Sequence, residues 1–129
     1  MEANELSNQL RNSNLIKYMG KPIKVSIETI FAISKCVGET AMYQPIQLTE
    51  EWLLKCGFEK KTYAHLTLYY FSLKVLSHGE ISFHPKENGF NIDLGTTTGY
   101  QFGTTNIKYV HQLQNLYFAL TGEELTVNI

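Results

Sequence analysis

The chain has 129 residues, 43% hydrophobic and 18% charged, with a formal net charge of −1. That length can bury a core without metal or disulfide staples, and the near-neutral balance excludes a general polyanion binder. Two cysteines without a CxxC pairing, and no run near the roughly 18 apolar residues that span a bilayer, lead to a single domain over 1–129 in a reduced, cytoplasmic compartment.

Residues 1–14 are polar and read as loose or partly helical. Leu15 to Tyr18, a turn at Met19-Gly20-Lys21 and Pro22 to Ile27 then form a predicted hairpin, because Ile23, Val25 and Ile27 alternate with Lys24, Ser26 and Glu28. Ile30 to Ser34 reads as a further strand. A short helix follows from Glu50 to Cys56. Thr49 is its N-cap, Glu50 and Glu51 suit the positive end of its dipole, and Leu48 with Leu53 can staple the start. Gly57 stops it, and Phe58 can fold back on Leu53. Trp52 and Cys56 are expected to pack inward.

Tyr63 to Leu76, YAHLTLYYFSLKVL, reads as one long central strand, apolar on both faces. Glu80 to His84 and Phe90 to Leu94 flank the turn Pro85-Lys86-Glu87-Asn88-Gly89 and make a second hairpin. A polar Gly/Thr loop from Gly95 and a short edge strand, Tyr100 to Gly103, lead to the last element. Asn106 can cap a helix from Ile107 to Leu120 that Gly122 ends, roughly 14 residues or about 21 Å. On it Leu116, Tyr109, Leu120, Leu113, Tyr117 and Val110 share an apolar arc that Ile107 and Phe118 widen, with Gln114 inside it bonded to backbone. His111, Asn115, Lys108 and Gln112 take the opposite, solvated face. Strands, a short helix, more strands and a closing helix make an α+β domain, an antiparallel sheet with the C-terminal helix packed on it.

Motifs for chemistry are few. His65, His78, His84 and His111 lack HExxH or a paired CxxC, so no metal is expected, and nothing beside Cys36 or Cys56 would activate a thiol. Gly95 to Gly103 lacks the lysine and helix of a phosphate loop, and Asp93 has no carboxylate partner for acid–base work. No catalytic residue, cofactor or small-molecule substrate is expected. Charge is uneven, however. Residues 11–74 carry nine cations against five acids, while residues 75–129 carry two against five. Tyr63, Tyr69, Tyr70 and Phe71 sit between Lys60, Lys61 and Lys74, as a stacking platform would need, although strand alternation lets only one set of these rings face a ligand.

The segments QPIQLTEEWLLKCGFEK and IKYVHQLQNLYFALTGEEL resemble a group of small proteins of Bacteroidetes phages and integrated phage-like elements, in which LTEEWLL and YVHQLQNLYFALTGEEL recur. The resemblance is close over residues 45–60 and 106–125. It also leads one to expect an LRxGN-like turn before the first strand, where this chain has Leu10-Arg11-Asn12-Ser13-Asn14, with serine in place of glycine. What it implies is a non-enzymatic anti-defence protein of a phage, acting in the bacterial host cytoplasm. The most concrete form is an anti-CRISPR inhibitor that binds a type VI-B RNA-guided effector nuclease or interferes with its guide RNA. Partner-binding residues are then expected at Lys60, Lys61, Tyr63, Tyr69, Lys74 and Tyr100, with the loop 95–105. The alternatives are a small nucleic-acid-binding regulator and a virion or packaging accessory protein.

Overall fold

A computed structural model describes residues 3–35, 42–62, 69–76, 79–87, 89–96 and 106–129. The chain is α+β, with one three-stranded and one five-stranded antiparallel sheet. It forms two compact units, one from residues 1–47 and 109–116, the other from residues 48–108 and 117–129.

In the first unit α1 (Ala3–Gln9) leads through a turn to β1 (Leu15–Tyr18), which pairs with β2 (Lys21–Lys24) and β3 (Tyr43–Pro45) in the order β2-β1-β3. Tyr18 faces Lys21 across a two-residue connection in which Met19 and Gly20 have φ of +50° and +82°. Two positive φ values give the hairpin a turn whose twist matches its strands. β2 stops at Lys24, earlier than alternation predicts, and Ile27–Ser34 is a helix, α2, where a strand was expected. The reason is local. Ser26 Oγ accepts the Thr29 N–H while Thr29 Oγ1 accepts the Ser26 N–H, a reciprocal capping box that satisfies donors which a strand would spend in a ladder. Leu6, Ile16, Val25 and Ile33 form the core of this unit, with Leu10, Ile23, Ile30 and Tyr43 packed around it.

The turn before β1 runs from Arg11 to Asn14, closed by the Asn14 N–H on the Arg11 carbonyl at 3.0 Å. Ser13, at its third position, has φ of +78°. Glycine is the residue that takes this conformation without a Cβ penalty. Ser13→Gly is therefore expected to stabilise the fold by about 0.5–1 kcal/mol, read as a raised urea midpoint at unchanged slope.

In the second unit α3 (Glu50–Lys55) begins at Thr49, whose Oγ1 accepts the Trp52 N–H. It ends at Gly57, φ +90°, with Gly57 N–H on Leu54 O and Phe58 N–H on Leu53 O. Those two bonds are the six-to-one and five-to-two pairs of a Schellman end, and Leu53 and Phe58 are both buried there. The chain then forms β4 (Glu59–Thr62), β5 (Tyr69–Leu76), β6 (Gly79–Lys86), β7 (Gly89–Thr96) and β8 (Asn106–Ile107), hydrogen-bonded in that order. The strand expected from Tyr63 to Leu76 is present from Tyr69 on as β5, and β4 before it is an additional, antiparallel strand. EKKT pairs with β5 from Glu59 opposite Ser72 to Thr62 opposite Tyr69, and residues 63–68 lie outside the described part. β6 and β7 form the predicted hairpin, but its strands run further than expected, since Pro85, Lys86 and Gly89 of the expected turn are paired in the ladder with Lys86 opposite Gly89. Phe71, Ile81, Phe83, Phe90, Ile92 and Ile107 alternate onto one face and are all buried. Phe58 meets Phe83 edge-on at 5.2 Å between ring centroids.

The closing helix, α4 (Val110–Thr121), starts three residues later than predicted. Asn106 and Ile107 are instead paired with Asn91 and Phe90 as β8, and Gln112 Oε1 accepts the Tyr109 N–H to cap the helix. Gly122, at φ +75°, ends it as expected. Its buried residues are Val110, His111, Leu113 and Gln114. The helix is therefore turned from the predicted arc. Leu120 and Phe118 are exposed, whereas His111 and Asn115, assigned to the solvated face, bond inside the first unit. Polar partners from α1 and the turn before β1 cause the rotation. Gln9 Oε1 lies 2.9 Å from His111 Nε2, Gln114 Oε1 accepts the Leu15 N–H at 2.8 Å, and Asn115 Oδ1 accepts from Asn14 Nδ2 at 2.9 Å and Arg11 Nε at 3.2 Å. The backbone bond expected of Gln114 is thus made to β1.

Candidate partner-binding face

Of the six expected binding residues, Tyr63 and Tyr100 lie outside the described residues, as do loop residues 97–105. The other four do not form one surface. Directly opposed residues of an antiparallel sheet share a face. Lys60 lies opposite Phe71 and so belongs, with Tyr69, to the face that carries the core. There the Lys60 ammonium stands 4.2 Å from the centroid of the Tyr69 ring and 3.0 Å from a Glu50 carboxylate oxygen. Its charge is already matched, so Lys60 and Tyr69 brace the edge of the sheet.

Lys61 and Lys74 fall on the opposite face, away from the apolar layer. Register lays a file of polar and aromatic residues across all five strands. It runs Lys61, Tyr70, His84, Asn91 and Asn106. The Tyr70 and His84 rings stack at 5.5 Å with 21° between their planes. Beside this file lie Ser72 and Ser82, opposite one another and both buried, and next to them Lys74 opposite Glu80. Gly89 gives the far end of the file its shape. With φ at +135°, a Cβ there would come within 2.7 Å of Asn106 Oδ1 and 2.8 Å of the Ile107 carbonyl oxygen. Only glycine lets Asn106 lie against β7.

The face carries charges of both signs. Lys61 and Lys74 are set against Glu59 and Glu80. Such a mixture complements a patterned protein surface better than a uniformly negative phosphate backbone. Tyr70 and His84 escaped the sequence reading as a pair because only the β5–β6 register brings them together. The signal available was each residue's odd position in its strand relative to Phe71 and Phe83.

Other chemistry is sparse. Cys56 closes α3 as a buried thiol, and burial pushes its pKa up to about 12, which keeps it protonated and unreactive. Cys36, His65 and His78 lie outside the described residues. Among the described residues no three His, Cys, Asp or Glu side chains gather as metal ligands, and no helix is long and apolar enough to cross a membrane. Trp52 is half-buried, with the Lys55 ammonium 4.7 Å from the centroid of its ring. No family model, curated protein or solved structure matches the chain.

Proposed function

We propose that this protein acts by stoichiometric binding to a protein partner, without catalysis, and that the partner is an RNA-guided effector nuclease of bacterial defence, as the phage-protein resemblance implies. The observation that supports a binding role is the five-strand polar file from Lys61 to Asn106, with stacked Tyr70 and His84 at its centre. Aromatic rings with polar tips give large contact area at little entropic cost, and the flanking lysines and glutamates orient the encounter.

Co-expression with a type VI-B effector is expected to protect phage or plasmid, saturating near equimolar inhibitor. Reversing both lysines of the polar face, Lys61→Glu with Lys74→Glu, is expected to reduce protection at least about tenfold while stability falls by no more than about 1 kcal/mol, the cost of setting an acid opposite Glu80. Lys60→Glu is the contrasting variant. It breaks the Glu50 contact and should shift stability more than protection. Full protection by the folded double variant would remove the polar face from the interface. No protection against any effector type would sink the anti-CRISPR reading.

The Tyr70–His84 stack also favours one second reading, direct contact with unpaired bases of the guide RNA. A gel shift with guide RNA alone separates the two. Phosphate-driven binding weakens steeply with salt, whereas the protein-contact reading expects no shift without the effector.

A further inference from the structure

The helix α2 presents an apolar stripe to solvent on the side away from its own core. Ile33 is fully buried and Ile30 packs beside it, yet Ile27 and Phe31, one turn apart, are 65% and 59% exposed. Residues four apart share a ridge, so Ile27, Phe31 and Lys35 form one line along the helix, with Glu28 and Ala32 on its flank. Large apolar side chains at adjacent positions of one ridge mark a contact surface more often than chance exposure does.

The charges beside this ridge decide what fits it. Glu28 sits exposed in the first turn, and Lys35 closes the last turn with its ammonium 4.3 Å from the centroid of the Phe31 ring. The stripe therefore reads negative, apolar, positive from start to end. A copy of the same helix laid antiparallel across it, with the twofold axis at Phe31, sets Phe31 on Phe31 and brings Ile27 against the stem of Lys35 of the second copy. Each Glu28 then meets the other copy's Lys35, so both charges are answered twice by one operation. A parallel copy would set like charges together at both ends. Ala32 on the flank lets the backbones approach.

We propose that α2 is the contact of a homodimer, two copies of this chain paired antiparallel through Ile27, Phe31, Glu28 and Lys35. An eight-residue helix covers less than the roughly 1,000 Å² of a permanent interface, so the dimer is a weak, concentration-dependent one. It involves none of the residues of the polar face, and it stands or falls apart from the anti-defence reading.

Sedimentation velocity over a roughly hundred-fold concentration range tests it. The expected result is a reversible rise from monomer to dimer. Phe31→Glu should abolish the rise, and Lys35→Glu should weaken association at least about tenfold by setting two acids together at each end. The exchange Glu28→Lys with Lys35→Glu should restore association to within a few-fold of the original, because the antiparallel pairing is met again with the signs swapped. Near-UV circular dichroism keeps folding defects apart from interface defects. A monomer at every concentration would overturn the proposal. So would a dimer that survives Phe31→Glu, or a folded exchange variant that stays monomeric.

Discussion

Lowering the pH from 6.5 to 4 is expected to cost the protein up to about 3 kcal/mol through His111 alone. This imidazole is fully buried, and its Nε2–H donates to Gln9 Oε1. The other nitrogen, Nδ1, has no hydrogen-bond partner among the described residues, while Tyr109 stacks on the ring at 5.7 Å. A proton added at Nδ1 would bury a charged donor with nothing to receive it. Burial accordingly holds the folded pKa at about 4, against 6.5 for a free histidine. Between those values the unfolded chain binds a proton that the folded chain refuses, so falling pH draws the equilibrium toward unfolding. Above 6.5 both states are neutral, and below 4 both are charged, so the slope is confined to that window. Carboxylates titrate there too, and His111→Gln isolates the histidine because a glutamine amide can still donate to Gln9. Urea melts of the two proteins from pH 7 to 4 should diverge as the acid limb of the variant flattens. Parallel limbs would mean that His111 is solvated in the folded state.

Leu113→Ala is expected to destabilise by roughly 2–5 kcal/mol, because it empties a fully buried position in the first turn of α4. Lys108→Ala, two residues before that helix and exposed, should cost less than about 0.5 kcal/mol. Denaturant midpoints at constant slope report both. Equal losses would place Leu113 at the surface.

What the residues disclosed in advance was what they decide locally. Thr49 and Gly57 bracket α3 through bonds to neighbours a few positions away, and Gly89 pairs with Lys86 across a turn that its own chemistry specifies. The strands expected up to Ile27 and over Ile30 to Ser34 give way to α2, although IETIFAIS is rich in β-branched residues that favour strands. The Ser26–Thr29 capping box, together with the burial of Ile33, outweighs that preference. The rotation of α4 was hidden for the opposite reason. His111, Gln114 and Asn115 turn inward to partners about a hundred positions away, at Gln9, Asn14 and Leu15, which no periodicity foretells. β4 was missed because EKKT contains no apolar residue. Its pairing with β5 makes it an edge strand, where lysines discourage further strand addition. The expected binding residues are divided between two faces. Lys60 and Lys61 are neighbours in sequence, and the pleat sends them to opposite faces.

The bonds from α4 to Gln9, Asn14 and Leu15 also impose an order on biosynthesis. Residues 1–47 carry one part of the first unit and residues 109–116 the other, with most of the second unit's chain inserted between them. As the polypeptide leaves the ribosome, Asn14 and the Leu15 N–H must wait for Gln114 and Asn115, some hundred residues and many seconds later. Closing so long a loop carries an entropic cost that short-range turns do not meet. The five-stranded sheet, complete at Ile107, is free to assemble first and hold the intervening chain compact. The apolar core from Leu6 to Ile33 emerges early and together, so it is the polar groups of Gln9, Asn14 and Leu15 that stay without their α4 partners until synthesis is nearly over.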